Sequence, residues 1–161
     1  MNKNRFYLLA LLGVLLAVTP SCNPDPCKDV NCGANGTCLD GTCICDTGYE
    51  GASCEVEWAT KFEGSYLGKD VCGMDTYILA KHAVITKLSA TMVRISNFGG
   101  FNSFIDANVT KSDELGFTNF IDPTGRRFTG TAKISGNKLT GSYQVTFSDG
   151  SSENCTFEYT K

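Results

Sequence analysis

Cysteine is the residue whose number and spacing most restrict the chemistry of this chain. Nine cysteines stand in 161 residues, against a single histidine, His82. Zinc sites pair cysteines as CxxC or combine them with several histidines, and the sequence has neither arrangement. The set therefore reads as disulfides formed in an oxidising compartment, with no metal site expected. Nine is odd, so one cysteine is left for another use. Any Ser-His-Asp or Cys-His site would have to use His82, and no supporting triad pattern surrounds it. Asp106, Asp113, Glu114 and Asp122 fall in or near turns, where aspartate is common for backbone reasons. No glycine-rich loop follows a strand and opens a helix to cradle phosphate. The expectation is no catalytic residue, no cofactor and no enzyme.

Composition narrows the class further. The net charge is −3, which argues against nucleic acid as a partner, since that calls for a strongly basic face. Charged residues make up 19%, and glycine is plentiful at 17. Serine, threonine and asparagine are also frequent, the mark of a β-rich, turn-rich extracellular chain.

The first residues account for the compartment. Lys3 and Arg5 precede an apolar run, Leu8 to Val18. That run has the length of a signal-peptide core and is too short to span a bilayer. Thr19-Pro20-Ser21-Cys22 follows. A signal core, a small residue and then cysteine resembles a bacterial lipoprotein signal, although Thr19 and Pro20 depart from the usual residues at those positions. The resemblance implies that residues 1–21 are removed and that Cys22 is lipidated and opens the mature chain. Each buried lipid methylene contributes about 0.8 kcal/mol to membrane binding, so several acyl chains hold firmly. Asn23 after the cysteine resembles outer-membrane sorting in Gram-negative lipoproteins. The expected location is the outer membrane or cell surface of such a bacterium, with residues 22–26 as a short tether.

Six cysteines follow at C-x4-C-x5-C-x4-C-x-C-x8-C: Cys27, Cys32, Cys38, Cys43, Cys45 and Cys54. A segment this short cannot close a hydrophobic core, so covalent staples must hold it. Six cysteines allow fifteen pairings, and spacing does not choose among them. The run CICDTGYEGASC, with Gly48, Tyr49 and Gly51 at the family positions, resembles the C-terminal half of an EGF-like domain. Over residues 27–54 that resemblance implies the pairs Cys27–Cys38, Cys32–Cys43 and Cys45–Cys54 and a small two-stranded sheet. Gly48 and Gly51 would serve turns of positive φ, and Tyr49 would cover a disulfide. Calcium needs several oxygen ligands at once. The calcium-binding subclass carries an acidic cluster before its first cysteine, where this chain offers Asp25 alone, so calcium is not expected.

Residues 55–60 read as a linker carrying Trp58. From 61 to 161 the pattern becomes period-two alternation, as in Leu139, Tyr143, Val145 and Phe147 opposite Thr140, Ser142, Gln144 and Thr146. Ser135-Gly136-Asn137 and Asp149-Gly150 mark hairpin turns. Eight strands are expected, over 62–68, 74–86, 91–97, 102–110, 114–121, 126–135, 138–147 and 151–160. In that simple order they make an all-β, up-and-down antiparallel barrel, which removes both sheet edges; a β-sandwich is the alternative. Phe62-Glu-Gly64-Ser-Tyr66 is similar to the first-strand G-x-W of lipocalins and other calycins, with tyrosine for tryptophan. Cys72 follows the first strand and Cys155 lies in the last, so a Cys72–Cys155 bond would staple the seam of a closed meander. Phe98 and Phe101 flank Gly99-Gly100 in a loop. They form either a contact surface or a cap tucked over the barrel end. A barrel of about a hundred residues has a narrow interior filled by its own side chains. The sequence thus points to an anchored lipoprotein whose EGF-like stalk presents a β-domain to a protein, glycan or small ligand. The alternatives are a spacer or cap that binds no small ligand and, last, an enzyme whose site carries no recognised pattern.

Overall fold

A computed structural model describes residues 25–161; the segment 1–21 expected as a signal and Cys22 lie outside the described residues. The fold is all-β, with a disulfide-rich EGF-like module followed by a closed eight-stranded antiparallel barrel. In the first module β1 (Gly36–Leu39) and β2 (Thr42–Cys45) form a hairpin. Its two turn residues, Asp40 and Gly41, both have positive φ (50° and 82°), the conformation that matches the twist of paired strands. Disulfides join Cys27 to Cys38, Cys32 to Cys43 and Cys45 to Cys54, the pairs implied by the EGF-like resemblance. Gly48 and Gly51 have φ of 98° and 102°, as their turns require.

Residues 55–60 are not an open linker. Val56–Glu57 forms β4, paired with β3 (Tyr49–Glu50), and Trp58–Lys61 is a 3-10 turn. The Trp58 amide donates to the Gly48 carbonyl at 2.8 Å, and the next amide, Ala59, donates to Ala90 of the barrel at 3.1 Å. Ala59 is fully buried in the barrel core. Ion pairs Lys87–Glu57 (2.5 Å) and Lys61–Glu50 span the same junction. The two modules are thus joined by consecutive backbone hydrogen bonds and packing as well as by the chain.

The barrel runs β5 (Gly64–Cys72), β7 (Ala83–Ser89), β8 (Met92–Ser96), β9 (Phe104–Lys111), β10 (Glu114–Ile121), β11 (Arg127–Ser135), β12 (Lys138–Thr146) and β13 (Ser152–Thr160). Each pairs antiparallel with the next, and β13 returns to β5 from Cys155↔Cys72 to Thr160↔Leu67. The segment 74–86, expected as one strand, is two. Asp75–Ile78 forms a short β6 that folds back on β5, and β7 begins only at Ala83. Between them Leu79 turns inward and is buried. The strand β5 therefore has β13 along one side, and β7 then β6 along the other.

Inward positions on β12 follow the alternation read from the sequence, Leu139, Tyr143 and Val145, and on β13 the inward residues are Cys155, Phe157 and Tyr159. Glycine occupies inward positions where neighbouring atoms approach closely. An ideal Cβ on Gly141 would lie 2.2 Å from the Thr131 carbonyl oxygen and 2.7 Å from the Phe157 ring. Only glycine permits that approach.

Candidate functional site

Among the described residues the barrel interior is packed with its own side chains. Phe98 heads a 3-10 turn, Phe98–Gly100, between β8 and β9. Asn97 and Gly99 on either side of it take left-handed conformations (φ 57° and 61°), which carry the ring into the barrel. There it is 2% exposed and meets Tyr143, Phe157 and Phe117 edge-on at 4.7, 5.3 and 5.4 Å between centroids. Phe101 is half-buried and stacks edge-on with Phe128 at 5.5 Å. Of the two readings of this loop, the cap is therefore the observed one. Phe98 and Phe101 do not form an exposed contact surface, because six aromatic rings close the end of a narrow barrel better than water does.

A buried carboxylate lies under that cap. Asp70 of β5 is 1% exposed. It accepts hydrogen bonds from Tyr159 (2.7 Å) and Tyr143 (3.1 Å), and the Tyr159 oxygen accepts the Gly99 amide at 3.1 Å. Burial pushes the Asp70 pKa up, and the two hydroxyl donors offset part of that rise. Burial, followed by the Asp70 charge, raises both tyrosines well above their ordinary value. These groups are satisfied by one another and open to no channel, so they latch the cap.

The remaining titratable residues do not converge. His82 lies exposed in the loop after β6, not in a strand. Asp106 holds Arg94 through two bonds of 2.7 and 2.8 Å. Asp113 and Glu114 pair with lysines. Asp122 is buried. Burial would raise its pKa, but the Thr124 hydroxyl and the Arg126 guanidinium and amide hold it well below the usual carboxylate range. Arg126 thus closes the β10–β11 turn, with its guanidinium over the Phe101 ring, while Arg127 is exposed. Cys72 and Cys155 are joined directly across the β5–β13 seam, which removes both as metal ligands beside Glu153.

What the barrel does offer is a concave strip on its outer face. The sequences Thr129-Gly130-Thr131 and Thr140-Gly141-Ser142 place glycine inward and hydroxyls outward on adjacent strands. Where glycine lets a strand sink inward, the outer surface dips. The groove is lined by Thr129, Thr131, Ser142, Gln144, Asn154 and Thr156, all polar and uncharged, with Val71 and Gly73 beside them. Gln144 donates to Asn154 at 3.3 Å across β12 and β13. The strip continues past Thr131 and Ser142 toward Thr140, where the charged Glu114 and Lys133 also line it. Period-two reading placed Thr129, Thr131, Ser142 and Gln144 opposite the apolar face without revealing the groove, which lies over the inward Gly130 and Gly141.

Residues 27–57 match the family described as a teneurin-like EGF domain. No curated protein matches the chain. An EGF-like domain followed by a β-barrel makes up a binding or presentation module.

Proposed function

We propose that the protein is a membrane-anchored surface lipoprotein whose EGF-like stalk holds the barrel outward to bind a hydroxyl-rich ligand, an oligosaccharide, on the outer strip of β11, β12 and β13. The observation that carries this reading is the pairing of an interior packed with its own side chains with an outer groove that presents Thr129, Thr131, Ser142, Gln144, Asn154 and Thr156. A lipocalin-style apolar guest has no space, whereas short hydroxyl and amide side chains offer donors and acceptors together. Cys22 is the anchor and Asn23-Pro24-Asp25-Pro26 the tether. The junction at Ala59 fixes the barrel to the stalk, so the groove keeps a set orientation to the EGF-like module.

A glycan screen with the full chain tests the binding half of this reading. Wild type should retain a subset of oligosaccharides, and Ser142→Arg, which fills the groove from an outward position, should lose them with its unfolding temperature unchanged. Retention by the variant equal to wild type, or binding of a fatty-acid probe by wild type, would contradict it. A chain that binds no glycan but still holds the membrane would be a spacer or cap.

A further inference from the structure

We propose that two copies of this chain pair through the open edge of β6 to form a two-fold symmetric dimer. In the large sheet β6 alone has a neighbour on only one side among the described residues. Its hydrogen-bonding phase can be read. The Leu79 amide donates to the Gly68 carbonyl at 2.9 Å, one step beyond the Lys69↔Ile78 pair. Bonded and non-bonded pairs alternate along an antiparallel ladder. Tyr77 and Asp75 are therefore bonded to β5, while Thr76 and Ile78 turn their N–H and C=O groups to the open edge. All four residues of β6 are exposed. No proline, lysine or bulge guards the strand, as natural edges usually require. Its surroundings are apolar instead: Met74 is 101% exposed, Ile78 80%, Tyr77 49% and Leu67 43%.

The edge is self-complementary, which selects a second copy as its occupant. With two β6 strands antiparallel about Tyr77, Thr76 of each copy faces Ile78 of the other. Both residues present their backbone groups outward, so four hydrogen bonds close around the axis. The same two-fold sets Asp75 opposite Leu79 of the second copy, two residues from its Lys81. Both Asp75 and Lys81 are exposed and form no ion pair among the described residues, so this attraction is made twice. A register shifted two residues toward the β5–β6 turn gives up the Ile78 pairing within the strand and draws the two Asp75 carboxylates together. Each barrel carries one such edge, so an isologous pair closes at two copies. The β5–β6 turn lies at the barrel end remote from the β7–β8 turn that receives the stalk, leaving both stalks free.

Sedimentation equilibrium of the full mature chain in density-matched detergent, over a concentration series, tests this. Twice the protomer mass is expected, with the dissociation constant raised at least tenfold by Thr76→Pro and by Ile78→Lys. The Thr76 amide serves no bond within the chain, so proline there is compatible with the fold; Ile78→Lys provides a second variant should it not be. The register is tested by oxidation. Tyr77→Cys should cross-link to itself, because non-bonded antiparallel pairs stand about 4.5 Å apart at Cα. Thr76→Cys should not, and a mixture of Thr76→Cys with Ile78→Cys should. A protomer mass at every concentration, assemblies larger than two, or cross-linking through Thr76→Cys alone would each overturn the proposal.

Discussion

The hydroxyl of Tyr159 donates to a carboxylate oxygen of Asp70 at 2.7 Å, joining the last strand to the first beneath the aromatic cap. The two residues sit diagonally across the β5–β13 seam, since Tyr159 faces Gly68 and Asp70 faces Phe157. The bond spans 89 residues of sequence. Through the Gly99 amide it also reaches the loop that carries Phe98. The barrel is closed here by a polar latch as well as by apolar packing.

That latch predicts a pH dependence. Burial raises the Asp70 pKa above its ordinary value of 3.8, offset in part by the tyrosine hydroxyls. A carboxyl with a higher pKa folded than unfolded binds protons preferentially in the native state. Its effect on stability is therefore most favourable below the ordinary carboxylate value and turns unfavourable as pH rises through the raised one. Asp70→Asn removes this titration, while the opposite behaviour of Asp122 is common to both proteins and cancels. Urea unfolding between about pH 4 and pH 8 should show the variant gaining stability relative to wild type as pH rises. A constant difference across that range would contradict a buried Asp70 carboxyl.

Removing the plug should be expensive. Phe98 contacts five aromatic residues from β10, β11, β12 and β13. Phe98→Ala leaves a cavity that surrounding strands cannot collapse into, and the expected loss is about 3–5 kcal/mol. Phe98→Leu should recover more than half of it. Chemical denaturation of the three proteins provides the comparison, and a loss below about 1 kcal/mol for the alanine variant would place Phe98 outside the core.

Much of this was legible in the sequence, for identifiable reasons. On β11 and β12 every outward residue is polar and the inward ones are apolar or glycine, so period two gave both strand and face. The three pairings of the stalk came from the EGF-like resemblance of CICDTGYEGASC, since six cysteines allow fifteen pairings and spacing alone does not choose among them. Two features were hidden. Tyr77, Ile78 and Leu79 form an apolar run that reads as continuous strand through 74–86, yet Leu79 turns inward and the next strand begins at Ala83. Asp70 resembles any surface aspartate until β5 is extended to Cys72, which puts residue 70 on the inward side with Tyr66. Its partners lie on the last two strands, beyond reach of any local pattern.

The Cys72–Cys155 bond offers a further check. Its residues are directly opposite in the β5–β13 register and 83 apart in sequence. Cross-linking a loop of that length contributes roughly 4 kcal/mol in the chain-entropy view. The double variant Cys72→Ser/Cys155→Ser should remain folded, because the backbone ladder persists on both sides, but unfold at a clearly lower urea midpoint. An unchanged midpoint would show that the seam is held by its ladder and latch alone.

The proposed function depends most directly on the anchor. Detergent-phase partitioning of the wild-type chain and of Cys22→Ala, each expressed with its own signal segment, addresses it in one measurement. Wild type should enter the detergent phase and Cys22→Ala should stay in water, with the barrel equally folded in both. Partitioning of both proteins into water would contradict an anchored, outward-facing module.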